Sequence, residues 1–183
     1  MKNAIIVHGK PSREKFENPD LFDPSDSMWI PRVKHQLTLN GFFAVAPDMP
    51  KPYDPHYGSW KKELTRYDID RDTTLIGYSA GACLLLRYMS DKTNLKIAQM
   101  VLVKPWLDPN RKYGNFGKFM IDSHLTERCL GGLSVFYAPD DDDQVERSTI
   151  RIAEALPKAE MIQLRASCLL SALDFPELVD KVV

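Results

Sequence analysis

Thr73-Thr74-Leu75-Ile76-Gly77-Tyr78-Ser79-Ala80-Gly81-Ala82-Cys83-Leu84-Leu85-Leu86 is the stretch on which the reading of this chain turns. A short β-branched and apolar run leads into Gly-x-Ser-x-Gly, and an apolar run of helical character follows. The pattern has a mechanical basis. A serine on a tight strand-to-helix turn has its hydroxyl lifted above the sheet edge, and small residues two positions to either side let the backbones pass without collision. The amide of Ala80, at the start of the following helix, then points towards any negative charge developing at the serine. A strand-to-helix turn without chemistry would use the same residues, so the context outside the motif decides.

Working outward, short apolar runs alternate with helical segments, as expected when crossover helices connect parallel strands buried on both faces. The strands are expected at Asn3–His8, Phe42–Ala46, Thr73–Gly77, Ala98–Val103, Leu133–Tyr137 and Glu160–Leu164. Helices are expected at Trp29–Asn40, Ser59–Tyr67, Ala80–Ser90, Val145–Leu156 and Pro176–Val183, the first ended by Gly41. The class is α/β: three layers, a mostly parallel sheet of about six strands with helices on both faces, in a single domain over 1–183. Two stretches interrupt the alternation, Lys10–Ser27 and Pro105–Arg128, each after the carboxyl end of a strand. Ligands bind at that edge in open parallel sheets, so both are expected to be pocket walls or lids. Trp29, Trp60 and Trp106 are expected in the core or pocket wall, Trp106 nearest Ser79.

Composition narrows the function. Hydrophobic residues make up 44% and charged residues 27%, the balance of a globular domain. With 24 Lys and Arg against 25 Asp and Glu, and no long basic run, nucleic-acid binding is not expected. Ala4-Ile5-Ile6-Val7 is too short for a signal peptide's apolar region and no run approaches a membrane span, so a cytoplasmic location without membrane association is expected. The three cysteines, Cys83, Cys129 and Cys168, form no CxxC pair, and the four histidines, His8, His35, His56 and His124, form no HExxH spacing. Neither a disulfide framework, a metal nor another cofactor is expected.

In α/β hydrolases the catalytic order is Ser, then Asp or Glu, then His. His8-Gly9-Lys10 stands where such proteins place a second oxyanion donor, which would be the Lys10 amide, with His8 itself outside the chemistry. The acid is expected after a late strand, in Ala138-Pro139-Asp140-Asp141-Asp142-Asp143. A solvated acidic turn that caps the next helix would look the same for at least two of these carboxylates. Asp141 is the expected inward member, with Asp142 as the alternative. After the strand Glu160–Leu164 a histidine is required, and none occurs there, since every histidine precedes Asp140. The chain is therefore a non-catalytic homologue, a variant of an active enzyme, or an enzyme whose base comes from elsewhere, His124 being the leading substitute.

As a set, His8-Gly9, Trp29-Ile30-Pro31, Pro47-Asp48-Met49-Pro50, Trp60, the elbow at Gly77–Gly81, the aspartate-rich turn and Phe175-Pro176-Glu177-Leu178 resemble the small serine hydrolases related to the retinoblastoma-binding hydrolase and its bacterial relatives. The resemblance runs over nearly the whole chain. It implies an α/β-hydrolase fold without a large cap domain, Ser79 as nucleophile, an aspartate of the acidic turn as the acid, and a small acyl substrate. That family's histidine lies in a Gly-His-Phe-like step before the last helix. Aligned from Phe175-Pro176-Glu177-Leu178, the step falls on Ser167-Cys168-Leu169, which puts Cys168 in the histidine's place, 27 positions beyond Asp141. A thiol, with a pKa of about 8.5, cannot both take a proton from Ser79 and hold a second hydrogen bond to the acid. Two functions follow from this: an esterase-like serine hydrolase, or a catalytically impaired module that binds a small molecule or a protein.

Overall fold

The computed structural model describes residues 1–165 and 174–183. Its strands are β1 (Asn3–Val7), β2 (Phe43–Val45), β3 (Thr73–Tyr78), β4 (Gln99–Val103), β5 (Leu133–Tyr137) and β6 (Glu160–Gln163). They form one parallel sheet in the order β2-β1-β3-β4-β5-β6. The helices are α1 (Arg13–Glu17), α2 (Ile30–Leu39), α3 (Tyr57–Leu64), α4 (Ala80–Asp91), α5 (Asp143–Ala155) and α6 (Pro176–Val182), with 3-10 turns at Pro24–Asp26 and Leu125–Arg128.

The alternation of side chains along each strand divides the core in two. Ile5, Val7, Leu75, Met100, Leu102 and Val135 point to the face covered by α3, α4 and α5. Ala4, Ile6, Ile76, Val101, Val103 and Phe136 point to the face covered by α2 and α6. Strands buried on both faces are mostly apolar, and β3 and β4 have no exposed position. Trp29 and Trp60 are fully buried, one in each half of the core. Among the described residues, no helix is long and apolar enough to cross a membrane.

The chain winds one way from β1 to β2, then returns past β1 to lay down β3 and every later strand on the other side. The sheet's switch point therefore lies between β1 and β3, whose carboxyl ends are level through the pairing of Val7 with Gly77. The residues that follow, His8-Gly9-Lys10 and Ser79, meet at that crevice.

Two elements differ from the sequence expectation. The stretch Lys10–Ser27 holds a short helix, α1, capped by Ser12, whose hydroxyl accepts from the Lys15 amide at 3.2 Å, and tied by an Arg13–Glu17 contact at 2.7 Å. Five residues are too few to display a helical period. Helix α3 begins at Tyr57 and ends at Leu64, earlier than expected at both ends. Buried Tyr57 belongs to its packed face, and the Thr65 hydroxyl donates back to the carbonyls of Lys61 and Lys62, closing the last turn.

Candidate active site

Ser79 sits at the junction of β3 and α4 with φ 52° and ψ −114°. A non-glycine residue there is strained and persists only when its surroundings impose it. Three backbone bonds do so: the Ser79 amide donates to Val103 at 2.9 Å, and the Ser79 carbonyl accepts from Ala82 at 3.1 Å and Trp106 at 3.2 Å. The flanking glycines are required by contact. A Cβ on Gly77 would lie 2.7 Å from the backbone of Ala82, and one on Gly81 would lie 2.2 Å from the carbonyl oxygen of Val7. Serine is a favoured helix cap, yet the Ser79 side chain makes no capping bond and is partly exposed at the sheet edge.

Gly9 brings the loop after β1 against the elbow, since a Cβ there would stand 2.9 Å from the Tyr78 ring and 3.0 Å from the Ser79 Cβ. Among the described residues neither the Lys10 nor the Ala80 amide donates to a protein acceptor. His8 is buried, and both ring nitrogens are engaged. Nδ1 donates to the Gly9 carbonyl at 2.7 Å, and Nε2 accepts from the Met49 amide at 2.9 Å. That pattern fixes the neutral tautomer, and burial pushes the ring's pKa below its ordinary value. His8 is a strut between β1 and the Pro47–Pro50 segment, with no nitrogen left to act as a base.

Trp106 stands beside Ser79, its indole donating to Gln144 Oε1 at 3.0 Å. The Tyr113 ring meets it edge-on at 5.5 Å, and the Lys10 ammonium lies over both rings, 5.7 Å from Trp106 and 4.8 Å from Tyr113. On the other side of Tyr78 is an apolar cavity of about 470 Å³ with Phe16, Leu21, Phe22 and Met28 in its wall. Lys10–Ser27 thus forms a pocket wall, as its position after β1 suggested.

The four aspartates of the acidic turn part company. Asp142 caps α5, accepting from Gln144 and Val145. Asp143 is exposed beside Arg147, and Asp140 is exposed as well. The Asp141 side chain turns inward, only 3% exposed. Its Oδ2 accepts from the Ala138 amide at 2.7 Å, and its Oδ1 pairs with Lys104 Nζ at 2.8 Å. The Tyr78 phenol is pushed above its ordinary pKa by burial first and then by the charges of Asp141 and Asp142, so the turn lies within electrostatic reach of the elbow. Lys104 escaped the sequence reading, although a lone charge directly after the apolar run Met100-Val101-Leu102-Val103 was a legible signal. Cys168 lies outside the described residues.

All four histidines of the chain lie within the described residues. His35 is exposed in the middle of α2, and His56 is exposed as the N-cap of α3. His124, the leading substitute for a base from elsewhere in the chain, is at the wrong end of α4. Its neighbour Asp122 accepts from Arg128 at 2.6 Å and binds Ser90, and Arg128 donates to the Met89 carbonyl at 2.9 Å. Helix α4 has 12 residues, so this cluster is roughly 18 Å from the Ser79 end. The ring of His124 faces solvent beside Glu127 at 3.5 Å. The insertion Pro105–Arg128 therefore serves the site only in its first part, and its second part returns to the amino-terminal edge of the sheet.

No protein-family model and no curated protein sequence matches the chain. Solved structures do. The ydeN gene product of B. subtilis aligns over 100% of this chain and 97% of its own, with a TM-score of 0.80 at 19% identity. An alpha/beta hydrolase of Sphaerobacter thermophilus aligns over 100% and 93%, with a TM-score of 0.56 at 10% identity. The chain has the α/β-hydrolase fold. The methylesterase MES16 of Arabidopsis has it too, aligning over 100% of this chain and 97% of its own at a TM-score of 0.63 and 11% identity. Within that fold the elbow of Ser79, the loop of Gly9 and Lys10 and the turn of Asp141 occupy one sheet edge.

Proposed function

We propose that the chain is a serine hydrolase of small carboxylic esters or related acyl compounds, related to the small hydrolases that resemble the retinoblastoma-binding hydrolase. The reading rests on one observation above the others, the strained Ser79 elbow, whose cost has no structural return in a hydrolase fold unless the hydroxyl reacts. In the proposed reaction Ser79 Oγ attacks the substrate carbonyl and the amides of Lys10 and Ala80 receive the oxyanion. The alcohol leaves with a proton, and water then releases the acid from the acyl-serine. Asp141 would orient the base, whose position the family resemblance implies is that of Cys168. A thiol there makes turnover slow, since losing the base of a comparable triad costs on the order of a millionfold in kcat. Among similar structures one is a methylesterase by name, which favours an ester over an amide.

The second reading is a module that binds an acyl compound without turning it over. It is favoured by the placement of the histidines, His8 being engaged at both nitrogens and His124 lying far from Ser79. A fluorophosphonate probe separates the two. Attack by Ser79 forms an O–P bond and expels fluoride, leaving a mass increment on the elbow peptide. Slow labelling at Ser79, lost in Ser79→Ala, supports the hydrolase. A folded protein that remains unlabelled supports the binding module.

A further inference from the structure

A second cavity, of about 420 Å³, opens between the loop 108–119 and α5, and neither Ser79 nor Trp106 lines it. Its wall includes Arg111, Lys118, Arg147 and Arg151. The chain carries a net charge of −1, so a concentration of positive charge at one cavity is a local feature and not a consequence of general basicity. We propose that this cavity binds a phosphate-class polyanion, at a site separate from the Ser79 chemistry and independent of it.

The charge accounting carries the case. Of these four cations only Arg147 has a carboxylate within ion-pair range among the described residues, Asp143 at 3.5 Å on the exposed rim. Arg111, Lys118 and Arg151 form no ion pair among them. The one buried acid in the wall, Asp108, has both oxygens occupied, Oδ1 by the Lys112 amide and Oδ2 by the Tyr113 amide, each at 2.9 Å. Its charge offsets part of the field, and both its oxygens already accept from the loop's own backbone. Several cations around one space repel one another unless an anion enters, and an anion of charge −2 or more removes that repulsion.

The donors are also held in place. Arg151 donates to the carbonyls of Gly117 and Phe119 and lies over the Phe119 ring at 5.3 Å. Arg147 donates to Asn110 Oδ1 at 3.2 Å. A guanidinium has five N–H groups in a fixed fork, so each keeps donors for a ligand while the rest anchor it. The loop itself is built under strain, with Asp108 at φ 49° and Arg111 at φ 53°. It is also closed by Gly117, whose Cβ would stand 2.0 Å from the Leu107 carbonyl oxygen. Arg111 is thereby set at the cavity by a strained backbone conformation, in a turn closed by its amide donating to the Asp108 carbonyl at 2.9 Å. Forked guanidinium donors together with an ammonium suit tetrahedral oxyanions better than a single carboxylate.

Calorimetric titration with inorganic tripolyphosphate at constant ionic strength tests the proposal. One equivalent is expected to bind, and Arg111→Glu/Lys118→Glu is expected to weaken binding by about tenfold or more. A charge-matched control, Lys62→Glu/Lys96→Glu, alters exposed positions outside this cavity and is expected to change affinity less than about twofold. Far-UV circular dichroism without the anion checks that both doubles fold. The milder Arg111→Met serves if the first does not, with about a threefold loss expected. Absence of binding by the unaltered protein, or equal weakening by both doubles, overturns the proposal. Because the readout is binding alone, the result is independent of whether Ser79 is a nucleophile.

Discussion

Replacing Ser79 by glycine is expected to stabilise the fold while ending any chemistry at the elbow. Ser79 holds φ 52° and ψ −114°, a conformation whose cost for a residue with a Cβ is about 1–3 kcal/mol. Glycine removes that strain but gains freedom in the unfolded chain, a loss of about 0.5–1 kcal/mol. The Ser79 hydroxyl contributes no capping bond, so its removal sacrifices little. The net expectation is a gain of about 1 kcal/mol, or about 2–4 °C in Tm for a chain of this size. Ser79→Ala is the informative partner, because it deletes the same hydroxyl and keeps the Cβ. It should melt close to the unaltered protein. Thermal denaturation of the three proteins, alongside phosphonate labelling, separates strain from nucleophilicity: both variants lose the label and only the glycine variant gains stability. If Ser79→Gly melts below Ser79→Ala, the elbow is not strained by its backbone, and the main support for the functional reading is lost.

Gly81→Ala places a Cβ 2.2 Å from a carbonyl oxygen of β1, backbone against backbone, and should cost about 3 kcal/mol or more in chemical denaturation. Gly58→Ala, in helix α3 with no neighbour of its Cβ nearer than 3.6 Å, should be neutral or stabilising by about 0.5–1 kcal/mol. Arg128→Ala removes the donor to the carbonyls of Met89, Lys92 and Leu95 at the end of α4 and should cost about 3 kcal/mol, read as a drop in Tm. Burial alone would raise the Asp122 carboxyl, but the His124 amide and Arg128 together hold it below its ordinary value. Its contribution is therefore complete above the unfolded pKa of about 3.9 and is lost as pH falls through the folded value, so Asp122→Asn should flatten the acid limb of the stability profile. Cys168→His is expected to raise hydrolysis of a short activated ester by orders of magnitude over the unaltered chain, with Ser79→Ala in the histidine background as control. Equal turnover by the two proteins would refute the placement of the base.

The sheet was legible because burial on both faces makes most of β3 and β4 apolar and β-branched, and the elbow was legible because its two glycines stand at fixed spacing about Ser79, although the contact of Gly81 with Val7 itself joins distant parts of the chain. Both signals are short-range. What escaped depends on contacts far apart in sequence. Lys104 and Asp141 are brought together by adjacent strands, and Gln144 reaches Trp106 from another element, neither of which a linear pattern records. The placement of His124 failed for a related reason. Position in a long insertion says that a residue follows a strand's carboxyl end, but Arg128 draws the chain back along α4 to the opposite edge. The division of labour among four adjacent aspartates was partly open to reasoning, since a helix that starts at Asp143 needs a cap immediately before it, and Asp142 supplies it.

The Lys104–Asp141 pair bears on what a histidine placed at position 168 can achieve. In a working triad the buried carboxylate is matched by the imidazolium that forms as the base takes its proton. Here an ammonium stands 2.8 Å from Asp141 Oδ1, and the two side chains are 17% and 3% exposed, so the carboxylate already has a countercharge. With position 168 facing the acid as proposed, an imidazole introduced there would share Asp141 with Lys104, and its cationic form would meet a like charge. Lys104→Met alone should destabilise the fold by about 3 kcal/mol, because it leaves Asp141 with a buried charge and fewer donors. In the Cys168→His background the same change should cost less, by about 1 kcal/mol or more, as the imidazolium takes over the ammonium's role. Turnover should then exceed that of Cys168→His alone. A double-mutant cycle measured by denaturation and by ester hydrolysis tests both halves of the argument. If the two changes are additive in stability and Lys104→Met lowers turnover, Lys104 positions Asp141 for the base and does not compete with it.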